Sequence, residues 1–245
     1  MKKMIKVFAG FLSSIFMLIS TTSLGQFPLE IHPLVGDFYV FTTYQKYRGI
    51  PYPSNGLYMV TEEGVVMIDT PWDTTQFQPI LDSIAARHDK EVILTISTHW
   101  HEDRTGGVEF FKSKGISTYS SEHTAELCLE NGVFPPEFTF RSDTTFTIGD
   151  YSISTFYPGH GHTIDNIVVW FEDEKILYGG CLIRSYETKG LGYTQEADLT
   201  SWPRAIETLQ ENYPKAKHII PGHQGWSEGN SLDHTLNLFK DKPGG

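Results

Sequence analysis

Three side chains that bind zinc stand at alternate positions in the run Thr98-His99-Trp100-His101-Glu102-Asp103-Arg104-Thr105-Gly106-Gly107. Zinc takes imidazole nitrogen, carboxylate oxygen and thiolate sulfur, and a catalytic zinc keeps three protein ligands and an open position for water. The preceding run, Glu91 to Ser97, is β-branched and apolar and predicts a buried strand. His99 and His101 then fall just past a strand end, where residues two apart point the same way and can reach one metal. Asp103 follows on the turn toward Gly106-Gly107 and can lean to a second metal. The plain alternative is a pair of strand-end histidines with an aspartate capping a helix.

Three further segments weigh against that alternative. Pro158-Gly159-His160-Gly161-His162-Thr163-Ile164-Asp165-Asn166 is a turn-rich loop feeding a strand from Ile167 to Phe171. Ile176 to Cys181 ends a strand on a lone cysteine, and Ile219-Ile220-Pro221-Gly222-His223 runs an apolar strand into a turn. His99, His101, Asp103, His162, Cys181 and His223 are together six ligands at strand ends, enough for two three-ligand sites. A layered α/β protein gathers a site along one edge of its sheets in this way. The chemistry of such a pair is hydrolytic. Zinc lowers the pKa of bound water from about 15.7 to about 7, and the resulting hydroxide attacks a carbonyl while a second cation stabilises the leaving nitrogen of an amide. Asp103 is placed to orient the attacking water as well as to bind metal. Structural zinc sites are closed four-ligand sites, which argues against a zinc-storing or purely structural protein.

These motifs closely resemble the metallo-β-lactamase fold family and, within it, the subclass B1 zinc β-lactamases. The likeness is carried by His99-x-His101-x-Asp103-Arg104-x-Gly106-Gly107, His162-Thr163-x-Asp165-Asn166, Gly179-Gly180-Cys181-Leu182-Ile183-Arg184-Ser185 and Pro221-Gly222-His223, and runs from about Leu29 to Lys240. It implies a four-layer αββα sandwich with the active site along one edge of the two sheets. It implies two Zn2+, the first held by His99, His101 and His162, the second by Asp103, Cys181 and His223. The implied activity is hydrolysis of penicillins, cephalosporins and carbapenems, giving β-lactam resistance. The alternative is another secreted metallohydrolase of the same fold acting on a lactone, a thioester or a different amide. Arg104 discriminates, because hydrolases of the wider superfamily usually carry a second-site histidine there, whereas this chain has Arg104 and supplies Cys181 instead. Subclass B2 is disfavoured because it replaces the first histidine with asparagine.

Substrate contacts depart from the commonest B1 pattern. Arg184 stands where many relatives have lysine; it keeps the charge and adds a planar fork suited to a carboxylate, the alternative being an ordinary solvated charge. Tyr193 stands where many have an asparagine thought to polarise the lactam carbonyl. The stretch Tyr44 to Gly56 is expected as a mobile lid between strands Phe38–Thr42 and Leu57–Thr61. Asp69 is expected to orient the histidine loop from behind, as partners of zinc ligands do, alongside the discriminating Arg104. Trp72 is expected to line the cleft, with core packing as the alternative for Asp69 and Trp72.

The elements that position these residues are legible as alternating strands and helices. Phe77, Ile80, Leu81 and Ile84 follow an Asp73 cap at helical spacing; Val108 and Phe111 share a helix face before Gly115; Trp202, Ile206 and Leu209 repeat the pattern before Pro214. Phe138 to Phe156 reads as a hairpin turning at Gly149-Asp150. His32, His88, His123 and His218 read as surface residues, His160 as support behind a ligand and His234 as a packed helix residue.

Lys2, Lys3 and Lys6 precede the apolar run Val7 to Ile19, and small residues lead to a cut before Gln26, so residues 1–25 read as a Sec-type signal peptide and 26–245 as one domain. No cysteine in that segment offers a lipid anchor, and the apolar run is too short for a lasting membrane span. A periplasmic protein without a membrane anchor is expected, with a monomer as the default state. Without those 25 residues the chain carries 16 basic against 30 acidic side chains, a formal charge of −14, which disfavours nucleic acid as a partner. Of the two cysteines, Cys128 reads as a small buried hydrophobe on a helix capped by Ser121 and ending near Gly132. A Cys128–Cys181 disulfide is the competing possibility and would destroy the second metal site.

Overall fold

The computed structural model describes residues 27–141 and 143–240; the expected signal peptide lies outside them. Twelve strands form two sheets among the described residues. The first sheet runs in order β1 (Glu30–Val35), β2 (Phe38–Tyr47), β3 (Ile50–Val60), β4 (Val65–Ile68), β5 (Val92–Ser97), β6 (Ser117–Ser121) and β7 (Phe138–Phe140). Its hairpins β1 to β4 are antiparallel, and β4 to β7 are parallel. The second sheet is ordered β12 (His218–Pro221), β11 (Ile176–Gly180), β10 (Val168–Phe171), β9 (Tyr151–Phe156) and β8 (Thr145–Ile148), antiparallel except where β12 joins β11.

Strand composition dictates the layering. In β4 every residue is apolar and buried, and alternation sends Val66 and Ile68 to one core and Val65 and Met67 to another. The central core lies between the sheets, where Phe38, Leu57, Val66, Ile68 and Ile96 meet Ile153, Val169, Phe171, Ile176 and Tyr178. On the outer face of the first sheet, Phe41, Tyr58 and Met67 are covered by Phe77, Ile80 and Ile84 of α1 (Phe77–His88) and Phe111 of α3 (Val108–Ser113). On the outer face of the second, Val168, Trp170 and Leu177 pack against Trp202, Ile206 and Leu209 of α5 (Trp202–Asn212) and Leu232 of α6 (Ser231–Lys240). These are the four αββα layers. The remaining helices are α2 (Glu102–Thr105) and α4 (Glu122–Glu130); Ser121 caps α4 by accepting from the Thr124 N–H. Among the described residues no helix is long and apolar enough to cross a membrane.

Three expectations are corrected. Tyr44 to Gly56 is not an irregular loop: β2 and β3 continue through it in register to Tyr47 opposite Ile50. The turn is only Arg48-Gly49, both at positive φ (52° and 82°), the geometry of a two-residue hairpin turn whose twist suits the strands. Pro51 and Pro53 suggest a break, yet this outer half of β3 pairs with β2 alone, and a strand with one free side tolerates proline. Likewise Phe138–Phe140 does not share a hairpin with the strands that follow. It is the last strand of the first sheet, parallel to β6, and only β8 and β9 make the hairpin that turns at Gly149-Asp150. His88 is likewise half-buried, its Nε2 3.0 Å from the Tyr58 hydroxyl.

Candidate metal centre

The C-terminal ends of β4, β5, β11 and β12 meet at one edge of the sandwich, and each delivers a functional side chain: Asp69, the His99 loop, Cys181 and His223. The loop between β9 and β10 brings His162. His101 is the N-cap of α2, with extended backbone (φ −62°, ψ 153°), and Asp103 sits in that helix's first turn.

The six predicted donors converge. Nε2 of His99 is 3.2 Å and Nε2 of His162 3.3 Å from Nδ1 of His101. Oδ2 of Asp103 is 3.1 Å from Nε2 of His223 and 3.4 Å from Sγ of Cys181, and Sγ is 3.3 Å from Nε2 of His223. The donor atoms of Cys181, His99 and His162 also lie within 4.8 Å of one another, so the two triads adjoin. Atoms bound tetrahedrally to one zinc at about 2.0–2.3 Å stand roughly 3.3–3.6 Å apart, and both triads match that spacing to within a few tenths of an ångström.

Protonation fits the same occupant. Burial, with the neighbouring imidazoles, holds His99 well below the ordinary histidine pKa; burial, His101 and Arg184 do the same for His162. Burial also lowers His223, against the pull of Asp103. All three therefore present neutral imidazole lone pairs. Burial opposes charge on Asp103, but Arg104 and His223 outweigh it and keep the carboxylate ionised. Burial raises the Cys181 thiol despite Arg104, so its ionisation calls for a bound cation, which strips the proton from a coordinating thiol. Both cysteines are free, so no disulfide competes.

Behind the donors lies a fully buried polar scaffold built on Arg104. Its Nη1 donates to the Asn55 carbonyl (2.7 Å), the Tyr178 hydroxyl (3.0 Å) and Asp69 Oδ2 (3.2 Å); its Nη2 reaches Asp103 Oδ2 (2.8 Å), the Gly222 carbonyl (2.8 Å) and Cys181 Sγ (3.2 Å). Asp69, at φ 63°, accepts from the Thr98 N–H (2.7 Å) and hydroxyl (2.9 Å) and thereby fixes the residue before His99. Burial raises its carboxyl to about 6 against the pull of Arg104 and Thr98. The glycine of Pro221-Gly222-His223 is required by space: a Cβ there would stand 2.6 Å from Arg104 Nη2 and 2.7 Å from the Gly180 carbonyl carbon.

The donors open onto a cleft of about 420 Å³ whose walls include Trp72, Tyr47, Tyr193 and Glu196. Trp72 lines this cleft, its ring 5.8 Å from that of His223. The ring of Tyr193 is 5.5 Å from that of His101, and its hydroxyl faces Gln195 and Glu196 at 3.2 Å. Arg184 is no solvated charge: it is 4% exposed, donates from Nη2 to the Tyr52 hydroxyl at 3.4 Å, and leaves Nε without a partner among the described residues. The β2–β3 hairpin overhangs the second triad, with Pro53 O accepting from His223 Nδ1 at 2.8 Å and the Tyr52 ring 5.2 Å from that imidazole. His160 donates to the Glu196 carbonyl at 2.9 Å, and His234 bonds the Thr188 carbonyl at 2.8 Å.

Sequence reasoning missed Asn55, Tyr178 and Glu196. Asn55 locks β3 onto the His223 loop through the carbonyls of Pro221 (3.0 Å) and Gln224 (2.8 Å). Tyr178 donates to Asp69 Oδ2 at 2.8 Å. Each acts across at least ninety residues of chain, and no local pattern marks it.

Two sheets meeting at a paired donor set define a dinuclear zinc protein. The sequence model of the Metallo-beta-lactamase superfamily matches residues 49–223. Metallo-beta-lactamase type 2 of Elizabethkingia meningoseptica is 38% identical over 213 residues, covering 87% of this chain and 86% of that one. Metallo-beta-lactamase IND-1 of Chryseobacterium indologenes is 36% identical over 242 residues, covering 99% of this chain and all of that one. The solved metallo-beta-lactamase from Pontibacter korlensis superposes with a TM-score of 0.85 at 41% identity, covering 88% of this chain and 100% of that one. The chain belongs to the metallo-β-lactamase superfamily and, within it, to subclass B1.

Proposed function

We propose that this protein is a zinc β-lactamase that hydrolyses the β-lactam amide of penicillins, cephalosporins and carbapenems. The observation that carries the reading is the second triad: Cys181, 3.4 Å from Asp103 and 3.3 Å from His223, completes a donor set in which Arg104 occupies the position of the wider superfamily's second-site histidine. When bound, two zinc ions supply Lewis acidity and a water nucleophile ionised near neutral pH. His99, His101 and His162 hold the first, and Asp103, Cys181 and His223 the second. Asp103, beside both triads, orients the attacking water toward the lactam carbonyl carbon; the amide C–N bond then breaks and the nitrogen takes up a proton. Arg184, buried with its Nη2 3.4 Å from the Tyr52 hydroxyl of the hairpin that overhangs the second triad, is the cation assigned to the substrate carboxylate. Trp72, beside His223, and Tyr193, beside His101, line the cleft and shield the substrate from water.

The domain spans residues 26–245 and acts as a monomer in the periplasm, a location supported by the Lys2-Lys3-Lys6 and Val7–Ile19 leader pattern. A substrate panel tests the activity. Zinc-loaded protein is expected to turn over a penicillin, a cephalosporin and a carbapenem and to leave a lactone and a thioester unchanged; the reverse pattern points to a different metallohydrolase. Asp103→Asn is expected to lower turnover sharply, and near-normal turnover at full zinc content would exclude Asp103 from the step.

A further inference from the structure

We propose that Glu196 is a positioning residue for the first zinc site, holding His101 in the one tautomer that can bind metal and strapping the 191–198 loop across the first triad. The proposal deepens the dinuclear reading and rests on it.

His101 turns Nδ1 toward the other two imidazoles, so the metal lone pair must be there and the ring proton on Nε2. That nitrogen lies 3.2 Å from Glu196 Oε2. The same oxygen accepts from the Trp100 indole N–H at 3.0 Å, and Oε1 accepts from the Tyr193 hydroxyl at 3.2 Å. One carboxylate thus ties a ligand, the residue between two ligands and the cleft wall. A carboxylate accepting from the outer nitrogen of a zinc-bound histidine fixes its tautomer and ring orientation.

The other histidines have different supports. His99 and His162 are almost fully buried, and His223 donates to the Pro53 carbonyl at 2.8 Å. His101 is the first-triad ligand left partly open, its side chain 16% exposed, so packing alone does not set its ring. The loop that carries Glu196 is itself anchored to the third ligand's segment: the Glu196 carbonyl accepts from His160 Nε2 at 2.9 Å, and the Asp198 N–H donates to the Gly161 carbonyl at 3.0 Å. His101 and His162 are therefore oriented from one strap. Engagement of the Tyr193 hydroxyl by that strap makes its ring a fixed wall of the cleft.

The test compares wild type, Glu196→Ala and Glu196→Gln by chelator competition for each zinc, by the visible spectrum of the cobalt-substituted protein and by thermal unfolding of the metal-free chain. Removing such a partner typically costs 10–100-fold in metal affinity, and that loss is expected for Glu196→Ala at the first site only. The cobalt bands of the histidine site should shift, while the Cys181 thiolate-to-cobalt band of the second site stays. Glu196→Gln keeps an acceptor oxygen within reach of both N–H groups and should recover most of the loss. Unchanged affinity in Glu196→Ala beside a wild type that binds two zincs would overturn this proposal alone, as would equal weakening of both sites with a less stable metal-free fold. A wild type that takes up no zinc would overturn the dinuclear reading and this proposal with it.

Discussion

The Nη2 of Arg104 lies 2.8 Å from Oδ2 of Asp103, with the guanidinium fully buried. The same cation faces Asp69 and the sulfur of Cys181, so a single positive charge serves three groups that carry negative charge when the site is assembled. Burial opposes charge on Arg104, yet Asp103 and the other anions more than offset it and raise its pKa well above the ordinary value.

Removing that cation leaves buried carboxylates and carbonyls unpaired. Arg104→Ala is expected to destabilise the metal-free fold by about 3–5 kcal/mol, the usual cost of breaking a buried pair from one side. Urea unfolding of the metal-free protein measures it, and a change of only a few tenths of a kcal/mol would show that the network is not structural.

Asp69 separates backbone from side-chain effects. Its φ of 63° is a conformation that asparagine also tolerates. Asp69→Asn should therefore cost about 1–3 kcal/mol through the donors it leaves unmatched, and Asp69→Ala more because it adds backbone strain. Equal unfolding midpoints for the two variants would contradict this.

Cys181→Ser removes the soft donor of the second triad. Zinc content after dialysis should fall by half, with the first triad still loaded, and β-lactam turnover should drop with it. Elemental analysis of the variant reads this directly; full zinc content would mean that Asp103 and His223 suffice.

Cys128 is buried and its thiol is pushed up to about 12, chiefly by burial. A thiol reagent at mildly alkaline pH should therefore find no reactive cysteine in the folded zinc-loaded protein and both after unfolding. Cys128→Ala should leave zinc content and turnover unchanged.

Most ligands were legible because an apolar run ends on or just before them, where strand geometry and a turn signal coincide: Ser97 into His99, Gly180 into Cys181, Pro221 into His223; His162 was marked by the turn-rich loop ahead of β10. That sheets are covered by helices was legible from strands alternating with helical spacing, whereas the four-layer order came from the family resemblance. What the sequence concealed is long-range. Nothing near Glu196 announces that its carboxylate reaches His101, and Tyr178 reads as one more apolar strand residue although its hydroxyl bonds Asp69. Tyr44 to Gly56 was read as a lid from its aromatic, apolar tip and the family resemblance; that β2 and β3 pair through it depends on cross-strand register, which no local pattern marks. Phe138–Phe140 could not be separated from the hairpin after it because the choice of sheet depends on β6, which precedes it by a full helix.

The central claim is that two zincs on these six side chains open a β-lactam. The direct measurement is the ultraviolet loss of a carbapenem and a cephalosporin with the purified protein in zinc, after EDTA, and after zinc is restored. Hydrolysis that stops with the chelator and returns with the metal is the predicted result. A folded protein that carries both zincs and leaves both antibiotics intact would contradict it.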